Sequence, residues 1–182
     1  MPEGINNKAD SFQNPEKGLL PSKKTLIVGY GNPDREDDGV AWYILLKLAK
    51  AFNLSIPAGP EVGFIPEGRY FDILFDMQLM PEMAEEMLGY ERLCFIDAHT
   101  GALNADLNWQ PIEPIFQNSP LTHHMTPQTV VSILENVYHQ KPEAILVSVR
   151  GYQFGFHRRL STQTQALADQ AFEKINNWLL EK

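Results

Sequence analysis

An apolar run and an amphipathic stretch are joined by Gly29-Tyr30-Gly31-Asn32-Pro33-Asp34-Arg35-Glu36-Asp37-Asp38-Gly39, and this segment constrains the chain more than any other. Before it, Thr25-Leu26-Ile27-Val28 is short, apolar and rich in β-branched residues, as expected of a strand buried on both faces. After it, Val40, Ile44, Leu45, Leu48 and Ala49 recur at helical spacing while Lys47 and Lys50 fall on the opposite side. Strand, glycine turn and helix in that order commit the chain to an α/β fold, with the acidic loop at the carboxyl end of its first strand. A dinucleotide fingerprint needs a third glycine where Asp34 stands, and the carboxylates of Glu36, Asp37 and Asp38 would repel a pyrophosphate. Acids before a helix also favour its N-terminus through the dipole, which accounts for one such residue better than for four.

The alternation continues. Phe71 to Phe75, Arg92 to Ile96 and Ala144 to Val149 read as strands, and Asp106 to Pro114 as an edge strand because of its prolines. Pro81 to Tyr90 reads as a short acidic helix. Thr126-Pro127 supplies a cap and a first-turn proline for a helix ending near His139, with Val130, Val131, Leu134 and Val137 as its buried stripe. Thr162 to Gln165 has a capping-box pattern that opens a C-terminal helix. The expected architecture is a three-layer α/β/α sandwich on a mostly parallel sheet of about five strands. Function in such sheets gathers at the carboxyl ends of the strands.

With 182 residues, 43% of them hydrophobic, the chain can bury one sizeable core, so a single domain is expected over residues 24–182, preceded by a flexible N-terminal extension over 1–23. A net charge of −8 without a basic cluster argues against nucleic acid. No apolar run suits a signal peptide or a membrane span, and the lone Cys94 sits in an apolar setting, so a cytoplasmic protein with a buried thiol is expected.

Three further residues carry chemistry. Asp97 closes the apolar run Leu93-Cys94-Phe95-Ile96 and should emerge at the same sheet edge as Asp38. Two carboxylates brought together there raise each other's pKa unless a cation or proton lies between them. His123 and His124 precede the Thr126 cap, and the residues alone do not choose between them. Two carboxylates and one imidazole suit a borderline divalent ion with open positions for water or substrate.

Taken together, these residues resemble the hydrogenase maturation proteases, nickel-dependent endopeptidases. GYGNPDREDDGV is similar to their glycine-x-glycine-asparagine loop closing on a pair of acids, Cys94-Phe95-Ile96-Asp97-Ala98 to their apolar strand ending in Asp-Ala, and His123-His124-Met125 to their histidine motif before a helix. The resemblance runs from about Lys24 to Leu180 and includes Gly151, Phe154-Gly155 and Leu160-Ser161. It implies Asp38, Asp97 and His123 as both metal ligands and catalytic groups, with His124 and Asp37 in supporting positions and His99, His139 and His157 as surface or packing residues. The implied reaction is removal of the C-terminal extension from a nickel-loaded [NiFe] hydrogenase large-subunit precursor. Nickel is then delivered by the substrate, with zinc or cadmium as substitutes. Departures are Ala41, where the family often has glycine, and Asp76-Met77-Gln78-Leu79, where many members have Asp-Gly-Gly. The latter loop is expected to bear on partner choice. Two other readings remain: a metal-binding maturation chaperone that does not cut, and a small-molecule-binding α/β domain, against which the acidic loop argues.

Overall fold

A computed structural model describes residues 23–55, 59–60, 63–65, 71–115 and 125–181. The N-terminal extension through residue 22 lies outside them, as do His123 and His124. In chain order the elements are β1 (Thr25–Tyr30), a 3-10 turn (Glu36–Gly39), α1 (Val40–Ala51), β2 (Phe64–Ile65), β3 (Asp72–Asp76), α2 (Met83–Glu86), β4 (Arg92–His99), β5 (Leu107–Pro111), α3 (Pro127–Asn136), β6 (Glu143–Arg150) and α4 (Thr162–Leu180).

The strands form one sheet in the order β2-β3-β1-β4-β6-β5. β3, β1, β4 and β6 run parallel, and the two edge strands are antiparallel to their neighbours. The mostly parallel sheet expected from the sequence is thus the one found, with the two-residue β2 added at one edge. Alternation of side chains sorts the core into two layers. Ile27, Ile73, Phe75, Cys94, Ile96 and Val147 face Ile44 and Leu48 of α1 and Phe172 and Ile175 of α4. Leu26, Val28, Leu74, Leu93 and Phe95 face Met83 and Met87 around α2 and Val130 and Leu134 of α3.

Six expectations need correction: α3 ends at Asn136 and leaves Val137 exposed rather than in the buried stripe, β5 is confined to Leu107–Pro111, and four more concern the other elements. The helix expected over Pro81–Tyr90 contracts to Met83–Glu86, because Gly89 adopts a positive φ of 80° and turns the chain out. β4 runs three residues past Ile96, carried by its parallel partner through the pairs Asp97↔Ser148, Ala98↔Val149 and His99↔Arg150, so Asp97 lies within a strand rather than after one. β3 is shifted by one residue, to Asp72–Asp76. The cap of α4 is Ser161 rather than Thr162: its side chain accepts the Thr164 N–H at 3.3 Å, and Thr162 is already helical. By contrast, Thr126 caps α3 as expected, accepting from the Thr129 N–H at 3.3 Å ahead of Pro127.

Candidate functional site

The acidic loop divides its carboxylates between two tasks. Three of them bind the segment between β6 and α4. Asp34 pairs with the Arg158 guanidinium. Glu36 accepts the Gly155 N–H at 2.7 Å, an approach that leaves a Cβ at residue 155 only 2.9 Å from the carboxylate oxygen. Asp37 is fully buried. It accepts four hydrogen bonds: from the N–H groups of Tyr152 at 2.7 Å, Gln153 at 2.8 Å and Ser161 at 2.6 Å, and from the Ser161 hydroxyl at 2.7 Å. Burial pushes the Asp37 carboxyl up, but these donors together outweigh it and hold the group below the usual carboxylate range. Backbone bonds complete the seam, Glu36 N–H donating to the His157 carbonyl at 2.8 Å and Asp37 N–H to the Gln153 carbonyl at 3.1 Å.

Asp38 is left for the other task. Its Oδ2 accepts the Asn32 N–H at 3.0 Å, which folds the loop back over the turn. That fold brings Gly31, at a φ of +130°, so close that a Cβ there would lie 2.3 Å from the Asp38 carbonyl oxygen. Gly31 is therefore required by the loop that shapes the site, and phosphate binding is not needed to explain it.

The charge of Asp38 also acts on Asp97. Gly29 pairs with Ile96 in the parallel register of β1 and β4, so Tyr30 and Asp97 are neighbours at the carboxyl edge, both on the α2 and α3 side of the sheet by alternation with Val28 and Phe95. Burial raises the Asp97 carboxyl to about 7; hydrogen bonds from the Tyr30 hydroxyl and the Ala98 N–H pull it down, and the charge of Asp38 pushes it up again. Tyr30 is raised well above its ordinary value by burial and by the charge of Asp97. The charge of Asp38 thus adds to burial in disfavouring the ionised form of Asp97.

Tyr30 was not singled out in the sequence. Its signal was period-2 alternation: counted along β1, it falls on the Val28 face, level with the residue after Ile96. The other candidates separate clearly. His139 and His157 are exposed, while half-buried His99 accepts the Gly101 N–H on Nδ1 at 3.2 Å, its Nε2 buried without a partner among the described residues. Cys94 is fully buried, and burial pushes its thiol far up, so it is no nucleophile. Among the described residues no group of three or more His, Cys, Asp and Glu side chains is arranged to hold a metal ion. Asp38 acts on Asp97 through its charge, and the third group expected from the sequence, His123, lies outside the described residues. Met125, the first described residue after it, packs against the same cluster as Tyr30.

No family model and no curated protein matches the sequence. The fold is shared with solved structures. The hydrogenase maturating endopeptidase HybD from E. coli aligns with a TM-score of 0.61 at 21% identity, over 86% of this chain and 91% of that one. A [NiFe] hydrogenase maturation protease HybD from Thermococcus kodakarensis aligns with a TM-score of 0.60 at 18% identity, over 87% and 99%. The maturation protease HycI from Thermococcus kodakarensis KOD1 aligns at 0.59 and 16%, over 90% and 97%. At these identities the likeness is one of fold, spanning nearly the whole of each chain. No helix among the described residues is long and apolar enough to cross a membrane.

Proposed function

We propose that this chain is an endopeptidase that removes the C-terminal extension of a nickel-loaded [NiFe] hydrogenase large-subunit precursor, using Asp38, Asp97 and His123. The observation that carries the reading is the Asp38–Asp97 pair at the carboxyl edge of a sheet whose fold is shared with hydrogenase maturation proteases. The donor set fits a divalent cation. Asp97, held near 7 and acted on by the charge of Asp38, is a carboxylate whose ionised form lacks a counter-charge, and a bound cation supplies one. With His123 added, the ligands are two oxygens and one nitrogen, which leaves coordination positions open. Nickel arrives with the substrate in this reading, and zinc or cadmium substitutes for it. Held there, the ion supplies Lewis acidity toward the scissile carbonyl or a water.

The remaining work falls to the protein's own groups. Tyr30 donates its hydroxyl to Asp97 and fixes that carboxylate's orientation. Asn32 does the same for Asp38 through its N–H. A proton on the Asp97 carboxyl would offset the Asp38 charge in the metal-free protein, and a cation held by Asp38, Asp97 and His123 would supply that counter-charge instead. Asp37 keeps the loop in place from behind. In this reading the processing centre is at the carboxyl edge of the sheet, where Tyr30 and Asp97 are neighbours, in a cytoplasmic protein.

The test is to incubate the protein with nickel-loaded precursor and measure the intact mass of the product. Loss of a single C-terminal peptide supports endoproteolysis. Stable complex formation without a mass change would instead support the escort role.

A further inference from the structure

A cleft of about 410 Å³ lies on the other side of the acidic loop from Tyr30 and Asp97. Trp42, Tyr43 and Leu46 of α1, with Leu160, give it an apolar wall, and Arg159 and Gln165 stand beside them. Its volume is within the range of pockets that take small ligands or peptide side chains, roughly 300–1,000 Å³, and an apolar wall with few polar groups is the usual lining. The wall is fixed in place: the Trp42 ring packs on Phe75 with centroids 4.8 Å apart, and the Tyr43 hydroxyl donates to Asp169.

The charges around the cleft decide its occupant. Asp169 is paired with Lys47 at 2.6 Å, and Glu36 is engaged by the Gly155 N–H. Arg158 is paired with Asp34. Arg159 is exposed and has no ion pair among the described residues, a free cation on a chain of net charge −8. A guanidinium presents a planar fork that suits one carboxylate. A polyphosphate fits less well, because the acidic turn also borders the cleft: Glu36 and Gly39 line it, while Asp38 between them acts on Asp97.

We propose that this cleft is a docking site for an apolar side chain flanked by a single carboxylate, on a segment of the same precursor whose chain end reaches Asp38 and Asp97; the identity of that partner rests on the proposed function. The 3-10 turn is the wall shared by the two sites, so one substrate engages both by passing over it. Arg159 and the apolar wall set affinity, and the processing centre sets the chemistry.

Two peptides probe the cleft directly: acetyl-Leu-Glu-amide and acetyl-Leu-Lys-amide, titrated into the full chain and followed by the indole N–H resonances. Trp109 and Trp178 pack together in the core and serve as internal references. The acidic peptide is expected to shift the Trp42 resonance, with the basic one binding at least about tenfold more weakly. Arg159→Glu, at an exposed position, is expected to weaken the acidic peptide about fivefold or more and to raise the precursor KM with kcat unchanged. Leu46→Asp, which puts a charge on the apolar wall, is a second variant with the same expected direction. An unmoved Trp42 resonance, equal binding of both peptides, or a precursor KM indifferent to Arg159→Glu would overturn the proposal while leaving the endopeptidase reading intact. Conversely, selective peptide binding in a protein that leaves nickel-loaded precursor uncut supports the cleft and removes the endopeptidase reading.

Discussion

Ser161 gives both of its donors to Asp37, the backbone N–H at 2.6 Å and the hydroxyl at 2.7 Å, while that same hydroxyl oxygen accepts the Thr164 N–H at the start of α4. One serine thereby joins the acidic loop to the last helix. The carboxylate it binds is adjacent in sequence to Asp38, so the position of the candidate site depends on a contact made on the far side of the loop.

Replacing Asp37 with Asn removes an acceptor from a buried carboxylate surrounded by four donors, and should cost about 3 kcal/mol in urea unfolding at neutral pH. Asp34→Asn, at an exposed pair, should leave the midpoint nearly unchanged. The pH dependence follows from the lowered Asp37 carboxyl. Its contribution is fully present above the ordinary aspartate pKa and is lost as pH falls through the lower folded value, so wild type and Asp37→Asn should converge in strong acid.

Asp97 behaves in the opposite sense. Because its folded carboxyl is raised to about 7, its contribution in metal-free protein is fully present below the ordinary aspartate range and is lost as pH rises through 7. Asp97→Asn should therefore melt at a higher temperature than wild type at pH 8 and close to it at pH 4. Tyr30→Phe removes a hydrogen bond that stabilises the ionised form and should move the Asp97 carboxyl higher still. Carboxyl carbon chemical shifts followed across pH would measure that movement, and a downward movement would contradict the assigned contact.

Added nickel, zinc or cadmium should raise the melting temperature of the wild type by relieving the Asp38–Asp97 repulsion. Asp38→Asn keeps nearly the same shape without the charge. It should melt no lower in the absence of metal and respond much less when metal is added. Equal shifts in the two proteins would place the ion elsewhere.

His123→Ala should abolish processing of the precursor, while His124→Ala keeps most of it. The comparison is read from product mass against time. Comparable rates in the two variants would show that the ligand had been assigned to the wrong imidazole.

Much of the fold was legible because apolar runs and helical spacing are local signals. β1, α1, α3 and β6 fall close to where periodicity puts them. The failures have a common cause. β4 extends to His99 only because β6 is long enough to pair with it, and α4 starts at a cap selected by Asp37, a residue more than a hundred positions away. Local patterns contain neither fact. The site was partly legible for the same reason. Asp38 was read from the loop before α1 and Asp97 from the end of an apolar run, whereas the place of Tyr30 beside Asp97 depends on the register between β1 and β4. Likewise, nothing in the acidic loop itself assigns three carboxylates to the β6–α4 segment and leaves the fourth to bond Asn32 and act on Asp97 by its charge.

In the proposed reaction Asp38 and Asp97 act together in cutting a nickel-bearing precursor. The most direct measurement is an intact-mass time course of nickel-loaded and nickel-free precursor with wild type, Asp38→Asn and Asp97→Asn, each variant first shown to be folded by its thermal transition. Wild type is expected to release one C-terminal peptide from the nickel-loaded precursor alone, and both variants to leave it whole. Cleavage by either variant at the wild-type rate, or no cleavage by the wild type, would contradict the proposed reaction.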